Sequence, residues 1–142
     1  MTLRKLLTVP KKNKQGAGVL VFRDFDDGKK VLILLDRYGK FDIPKGHIDM
    51  KDPDHFSTAQ RECFEETQVF VTASDLLTDN VYQDKKLTIF CAKTLQDPVL
   101  IKNPESGELE HVRFYWLHPD IALVALPSYL SDALRWGLKH AV

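Results

Sequence analysis

The sequence contains few cysteines and no long apolar run. Cys63 and Cys91 are its only two cysteines, and their separation matches no zinc motif. We expect two reduced, buried thiols rather than a disulfide, as is typical of cytoplasmic proteins. The apolar runs are far shorter than the roughly 18 residues that a membrane-spanning helix needs. The N-terminus also lacks the pattern of a secretory signal. We therefore expect a cytoplasmic protein with no membrane partner.

The sequence also lacks an excess of charge of either sign. Lys and Arg together number 20, Asp and Glu together number 20, and the net charge is zero. A protein that binds nucleic acid through bulk positive charge would be basic, so we expect no such partner. The length of 142 residues fits one domain with a core, and we predict a single domain over residues 1–142. The oligomeric state is left open.

Extended and helical patterns are mixed along the chain without a repeat. Residues 1–15 are basic and are predicted to form a solvated arm. Residues 16–23 and 31–36 are apolar, flank an Asp-Gly turn and predict a β-hairpin. The second of these strands is continuously apolar, which predicts burial on both faces. Further strands are predicted at 87–95 and 112–117, with short extended pieces at 69–71 and 80–83. Helices are predicted from Asp52 to about Thr67, after His118 and at 127–141. The predicted class is α/β or α+β, with a mixed sheet between helices.

The strongest candidate for chemistry is an acidic helix that follows a Pro-Lys-Gly turn. A helix advances about 100° per residue, so Glu62, Glu65 and Glu66 share one face. Like charges at this spacing repel unless a cation lies between them. Oxygen ligands suit Mg²⁺ or Mn²⁺. Arg61 could hold one carboxylate in place, and the carbonyl of Gly46 could serve as a further ligand.

A solvated acidic face is the alternative interpretation of these glutamates, because Glu-Glu pairs are common on surface helices. The combination with the turn Pro44-Lys45-Gly46 favours a metal site. The start of the helix is predicted from Asp52, which is a suitable N-cap before Pro53. Ser57 followed by Gln60 forms a competing capping box.

The segment 44–69 resembles the signature of the Nudix hydrolase family. That signature consists of a glycine, five residues of any type, a glutamate, seven residues of any type and the motif REUxEExGU, in which U is a bulky aliphatic residue. Gly46 matches the first glycine, and residues 61–69 match the second half. The resemblance implies an α/β/α sandwich with a mixed sheet. It also implies Mg²⁺ bound by Glu62, Glu65 and Glu66, with Arg61 orienting this cluster, and water attack on phosphorus of a nucleoside diphosphate linked to another group.

The segment departs from that signature at three places. One extra residue lies between Gly46 and Arg61, near Pro53. Asp52 stands where the early glutamate is usual, and Gln68 replaces the final glycine. We expect the last change to alter only how the helix ends, since that glycine is a C-cap device.

Two further segments resemble the diadenosine tetraphosphate hydrolases of this family. They are PKGHID at 44–49, and the pair Glu110-His111 followed after four residues by Trp116-Leu117. The resemblance implies that Glu110 is a further metal ligand or the catalytic base, and an ordinary loop acid is the alternative. Asp52, Glu66 and Glu110 are all candidates for the base.

Substrate contacts are predicted around the same segment. Arginine and lysine side chains bind phosphate, and aromatic rings stack on nucleobases. The candidates for phosphate are Arg37, Lys40, Lys45, Lys85 and Lys86, those for adenine are Tyr82 and Phe41, and His47 and His111 are candidate polar site residues. Core packing is the alternative for Phe41.

The leading hypothesis is a Mg²⁺-dependent pyrophosphohydrolase that acts on a dinucleoside polyphosphate. ADP-ribose, an oxidised nucleoside triphosphate or an RNA 5′-cap contains a similar anhydride and is an alternative substrate. A catalytically inactive Nudix module that senses a nucleotide is the alternative from another functional class.

Overall fold

The computed structural model describes residues 15–142, and the predicted solvated arm lies outside them up to Lys14. Within this range a seven-stranded sheet is combined with three α-helices. The strands are β1 (Gly16–Phe25), β2 (Gly28–Asp36), β3 (Phe41–Asp42), β4 (Lys45–His47), β5 (Tyr82–Asp84), β6 (Leu87–Lys93) and β7 (His111–Leu117). The helices are α1 (His55–Thr67), α2 (Pro119–Ala125) and α3 (Ser128–His140), with a 3₁₀ turn at Ala73–Asp75.

Strand β1 lies at the centre of the sheet. It pairs in parallel with β6 along Gly16 to Phe22, and antiparallel with β2 through the predicted hairpin. The start of β1 also pairs antiparallel with β4, with Ala17 opposite Gly46. Strand β7 pairs antiparallel with β2. The sheet is therefore mixed, as the sequence predicts.

The central strands β1 and β2 are buried on both faces of the sheet because they are apolar on both. Leu20 and Phe22 pack on one side in a cluster that includes residues of α2 and α3. Val19 and Val21 point to the other side, where Cys63 of α1 completes a second cluster. The predicted α/β/α sandwich and the burial of residues 31–34 on both faces are confirmed.

The two cysteines lie on opposite faces of the sheet. Cys63 belongs to the cluster under α1, and Cys91 to the cluster under α3. Both are free and buried, as expected, and burial raises the pKa of each thiol to about 12. None of the helices among residues 15–142 is long and apolar enough to span a membrane.

Helix α1 begins later than predicted but ends at the predicted residue. Its N-cap is Asp54, whose carboxylate accepts a hydrogen bond from the Ser57 N–H at 2.7 Å. The predicted caps at Asp52 and Ser57 are therefore wrong. The Asp52 carboxylate instead accepts hydrogen bonds from Arg61. The helix ends at Thr67 as predicted, and Gln68 takes the left-handed conformation with φ of 61°. A glutamine thus fills the C-cap role that glycine usually has.

The smaller extended segments are only partly as predicted. Residues 69–71 form no strand, and the piece predicted at 80–83 is the strand Tyr82–Asp84. The two-residue strand β3 and the three-residue strand β4 were absent from the prediction. Strands this short carry too few residues for a period-2 pattern.

Candidate active site

The close approach of β4 to helix α1 defines the site. A Cβ built on Gly46 would overlap the carboxylate of Glu62, so a larger residue there would displace that carboxylate. Strand β1 also lies close to this turn, because a Cβ on Gly18 would lie 2.6 Å from the Pro44 carbonyl oxygen. The glycine in the Pro-Lys-Gly turn thus lets the backbone approach the glutamate, and its φ is not positive.

Arg61 connects the helix to the loop before it. Its Nε and Nη2 donate to the two carboxylate oxygens of Asp52 at 3.1 and 2.8 Å. Its Nη1 donates to Glu62 at 2.9 Å and to Glu65 at 3.3 Å, and Nη2 also donates to the carbonyl of His47 at 3.2 Å. One guanidinium thus fixes three carboxylates and the end of β4.

Asp52 is held as the anchor of Arg61. Its Oδ2 also accepts from the Thr58 hydroxyl at 2.8 Å and from the Asp49 N–H at 2.9 Å. The hydrogen bond from Arg61 is the largest of the effects that lower the pKa of Asp52 to about 2. Such a carboxylate is a weak proton acceptor, so this environment argues against Asp52 as the base.

Glu62 and Glu66 lie one helical turn apart on α1. Glu62 is at the edge of the site, and Glu66 is buried below it. Glu66 is 8% exposed, and its Oε1 is buried without a hydrogen-bond partner among the described residues. Burial raises the pKa of Glu66 well above the ordinary range, and the charges of Glu110 and Glu62 raise it further. Burial also raises the pKa of Glu62. A buried pair of carboxylates resists carrying two negative charges unless a cation accompanies them.

Glu65 differs from the other two glutamates. Its side chain is 56% exposed and lies against Arg61, four residues earlier. It can join a cation at the site only by leaving that ion pair. The three glutamates are thus on one side of α1, but the structure brings only Glu62 and Glu66 together.

His111 and Asp42 form a second polar contact beside Glu66. His111 Nε2 lies 3.3 Å from Asp42 Oδ2, and His111 Nδ1 lies 3.7 Å from Glu66 Oε1. Lys45 lies 3.3 Å from Asp42 Oδ1. Burial alone would raise the pKa of Asp42, but the His111 hydrogen bond and the Lys45 charge outweigh it and lower that pKa.

Two clefts meet at Glu110, which is exposed in the loop before β7. The first has a volume of about 710 Å³, and the second about 350 Å³. The first is lined by Glu62, Gly46, His47, Tyr129 and three lysines, Lys45, Lys85 and Lys86. The second is lined by Arg37, Tyr38, Asp42, His111 and the carboxylates Asp36 and Glu108.

In this structure the residues that match the Nudix signature form a glycine-carboxylate contact, an arginine clamp and a pair of glutamates, of which Glu66 is buried. A sequence profile described as "NUDIX domain" matches residues 12–136, which is most of the chain. The chain belongs to the NUDIX family. This confirms the expectation of a pyrophosphohydrolase on an α/β/α sandwich.

Solved structures of other NUDIX proteins have the same fold. The Ap4A hydrolase of C. elegans, in a binary complex, is 24% identical with a TM-score of 0.64, over 86% of this chain and 93% of that one. The dihydroneopterin triphosphate pyrophosphohydrolase of E. coli is 17% identical with a TM-score of 0.64, over 87% and 94%. The NUDIX domain of Shewanella oneidensis NrtR, complexed with ADP ribose, is 18% identical with a TM-score of 0.60, over 97% and 99%.

These identities are below 25% and therefore show a shared fold without showing a shared substrate. No curated protein sequence matches the chain significantly. The choice between the substrates predicted for this NUDIX protein thus depends on its own clefts.

NUDIX hydrolases generally use a divalent metal ion, and the residues present here fit one. Glu66 has a buried oxygen without a hydrogen-bond partner among residues 15–142, and the backbone of Gly46 lies against the Glu62 carboxylate. Two carboxylates and a backbone segment are therefore close together where a cation could bind. In the described part of the chain, no three His, Cys, Asp or Glu side chains already form a complete metal cage. Mg²⁺ seldom has such a cage, because water and substrate phosphates complete its coordination.

The predicted substrate residues fall into two groups. Lys45, Lys86 and His47 line the first cleft, and Arg37 lines the second, where it forms an ion pair with Glu108. The predicted aromatic residues face the core instead. Phe41 packs on Tyr115 with ring centroids 6.2 Å apart, and Tyr82 packs on Trp136 at 6.0 Å.

Several cleft residues were not assigned to the site from the sequence, among them two tyrosines and an aspartate. Tyr129 opens helix α3 and is 45% exposed, and Tyr38 is 74% exposed in the β2–β3 loop. Asp42 ends β3 beside His111. Only the position of Tyr129 at the start of the helix could have indicated the cleft.

The burial of Glu66 beside other carboxylates makes the stability of the chelator-treated protein depend on pH. The pKa of Glu66 is raised by folding, so the folded state holds a proton that the unfolded chain has lost. Stability contributed by that proton is present at low pH and is lost as pH rises through the raised pKa. Glu66→Gln removes this loss, and we expect it to be more stable than the parent by a margin that widens from pH 5 to pH 8.

The margin should grow by at most about 1.4 kcal/mol per pH unit, measured by urea unfolding in chelator. Glu65→Gln, which removes a half-exposed carboxylate from the same helix, is the matched control and should follow the parent. Parallel curves for the parent and Glu66→Gln would contradict the account of the buried pair.

Proposed function

We propose that this protein is a Mg²⁺-dependent hydrolase, with Mn²⁺ as an alternative ion, that cleaves a dinucleoside polyphosphate such as diadenosine tetraphosphate. Residues 1–142 act as a single catalytic domain in this proposal. The observation that carries it is the first cleft, where Lys45, Lys85 and Lys86 lie in one cavity with Glu62 and the Gly46 backbone. Anionic phosphates and a cation-binding carboxylate are thereby accommodated side by side.

The cation would be held by Glu62, Glu66 and the carbonyl of Gly46, with Glu65 and Glu110 as further ligands. When bound, a divalent ion neutralises nonbridging phosphate oxygens and lowers the pKa of a coordinated water. Arg61 acts on the ligands rather than on the substrate, because its donors are already used by Asp52, Glu62 and Glu65.

The protein residues must also remove a proton from the attacking water. Water attacks one phosphorus atom, and the anhydride P–O bond breaks. The leaving phosphate group carries the other half of the dinucleotide. Glu66 and Glu110 are the proposed proton acceptors. Burial raises the pKa of Glu66 in the metal-free protein, with further contributions from the charges of Glu110 and Glu62, and Glu110 is exposed where the two clefts meet. Asp52 is disfavoured for this role, because the hydrogen bond from Arg61 lowers its pKa to about 2.

Phosphate binding is assigned to the lysines of the first cleft. Lys45 remains charged, because the neighbouring Asp42 carboxylate and other acidic groups outweigh its burial and raise its pKa. Lys85 and Lys86 form the turn between β5 and β6, and Lys85 is held in the left-handed conformation with φ of 51°. A lysine in this strained conformation at a cleft is consistent with a functional turn.

The two halves of a dinucleotide match the two clefts in chemistry. The first cleft has cationic side chains for the phosphate chain and Tyr129 for one base. The second has several carboxylates, and its Arg37 is already paired with Glu108, so it repels phosphate but suits a neutral nucleoside. Tyr38 is exposed there for stacking. This division favours a dinucleoside polyphosphate over a nucleoside triphosphate, which has one base.

Product analysis with Mg²⁺ tests the proposal on a panel of diadenosine tri- and tetraphosphate, ADP-ribose, NADH and nucleoside triphosphates. We expect AMP plus ATP from the tetraphosphate, and Glu66→Gln should reduce this turnover at least about 100-fold. The matched control is Glu105→Gln, on the loop before β7. Tight nucleotide binding without hydrolysis of any compound would instead indicate a sensor, and preferred cleavage of ADP-ribose would change the substrate class.

Single tyrosine variants test the assignment of the two bases. Tyr129→Ala should raise KM for both a dinucleoside polyphosphate and a nucleoside triphosphate, about 5- to 100-fold for a lost stacking contact. Tyr38→Ala should raise KM only for the dinucleotide, because a mononucleotide does not reach the second cleft. Equal effects of Tyr38→Ala on both substrates, or none on either, would contradict a second nucleoside site.

A further inference from the structure

His111 occupies an unusual position at the start of β7. The pairing of β7 with β2 is irregular there, with Leu35 opposite Arg113 but Asp36 opposite His111, so that Val112 is skipped. Bulges of this kind re-aim a side chain. His111 is only 5% exposed, while Val112 is 40% exposed. The irregularity thus accompanies a buried histidine among otherwise exposed neighbours.

Asp42 fixes one side of this histidine. Its Oδ1 accepts from the Ile43 N–H at 2.8 Å, and Lys45 lies 3.3 Å from the same oxygen. Its Oδ2 faces His111 Nε2 at 3.3 Å. An ionised carboxylate can only accept, so Nε2 is the donor in this contact.

The other side of the ring faces Glu66. His111 Nδ1 and Glu66 Oε1 are 3.7 Å apart, which is too long for a hydrogen bond. Both atoms are buried, and neither has a hydrogen-bond partner within residues 15–142. Unpaired buried polar atoms are costly, so two that face each other indicate a contact made in the working state.

We propose that Asp42 and His111 are positioning residues that hold the Glu66 carboxylate in the orientation used to bind the divalent cation. This inference rests on the proposed metal site and adds a chain of contacts, Asp42 to His111 to Glu66, that supports it. Neither Asp42 nor His111 touches the substrate phosphorus in this role. The chain links β3, β7 and α1, which are distant in sequence.

Direct Mn²⁺ binding, measured by electron paramagnetic resonance without any nucleotide, tests the proposal. His111→Phe removes both ring nitrogens and should weaken Mn²⁺ binding about 10- to 100-fold, as is typical when a partner of a metal ligand is lost. Asp42→Asn should also weaken Mn²⁺ binding. The double variant His111→Phe/Asp42→Asn should be no weaker than His111→Phe alone, because Asp42 acts through the ring.

Two conservative variants separate positioning from packing. The amide nitrogen of Asn takes the place of Nδ1, whereas that of Gln takes the place of Nε2. His111→Asn should therefore retain more Mn²⁺ affinity than His111→Gln. The reverse order, or parental affinity in His111→Phe, would overturn the proposal. The comparison of Asn with Gln decides the matter even if the Phe variant does not fold.

The control is the pair His118 and Asp27, which has the same 3.3 Å contact at the β1–β2 hairpin. His118→Phe should leave Mn²⁺ affinity unchanged, and an equal loss in both histidine variants would overturn a specific role for His111. Glu66→Gln distinguishes the two levels of the account. Unchanged Mn²⁺ binding in Glu66→Gln would reject the metal site itself. A loss in Glu66→Gln but not in His111→Phe would reject only the positioning chain.

Discussion

The contact between the Gly46 backbone and the Glu62 carboxylate is the constraint on which the rest of the site depends. It is possible only because β4 pairs with the start of β1, where Gly18 allows a second close approach. The central strand therefore positions the turn, and the turn positions backbone against the acidic helix. A larger residue at Gly18 would push β1 away from the Pro44-Lys45 segment, and a larger residue at Gly46 would displace the Glu62 carboxylate.

Placing several carboxylates close together on α1 is unfavourable, and neighbouring groups offset part of that free-energy cost. Burying carboxylates close together is unfavourable by several kcal/mol unless partners or a cation compensate. Arg61 compensates Glu62 and Glu65 directly, and it is in turn held by Asp52. Within residues 15–142 no arginine or lysine forms an ion pair with Glu66, and its Oε1 has no hydrogen-bond partner, which suits a residue that binds a cation. The arginine network thus stabilises the helix while leaving the deepest carboxylate for function.

Much of the fold followed from local patterns, because those patterns depend on neighbours in the chain. The period of the helix placed Glu62 and Glu66 on one face, and the apolar run at 31–35 indicated a strand buried on both sides. The start of α1 was missed because Asp52 and Asp54 are both suitable caps, and the choice depends on Arg61 taking Asp52. The pair Asp42 and His111 could not be found locally, since 69 positions separate them. Tyr82 and Phe41 were assigned to the substrate by residue type alone, and their burial depended on partners elsewhere in the core.

The central claim is that Glu62, Glu66 and the Gly46 carbonyl hold a catalytic divalent cation. Anomalous X-ray scattering from crystals soaked in Mn²⁺ measures the position of that ion directly. The account predicts an anomalous peak within coordination distance of both carboxylates and that carbonyl oxygen, and its loss in Glu66→Gln crystals. A peak at Asp52 and Glu65 away from Gly46, or none at this end of the cleft, would contradict the claim.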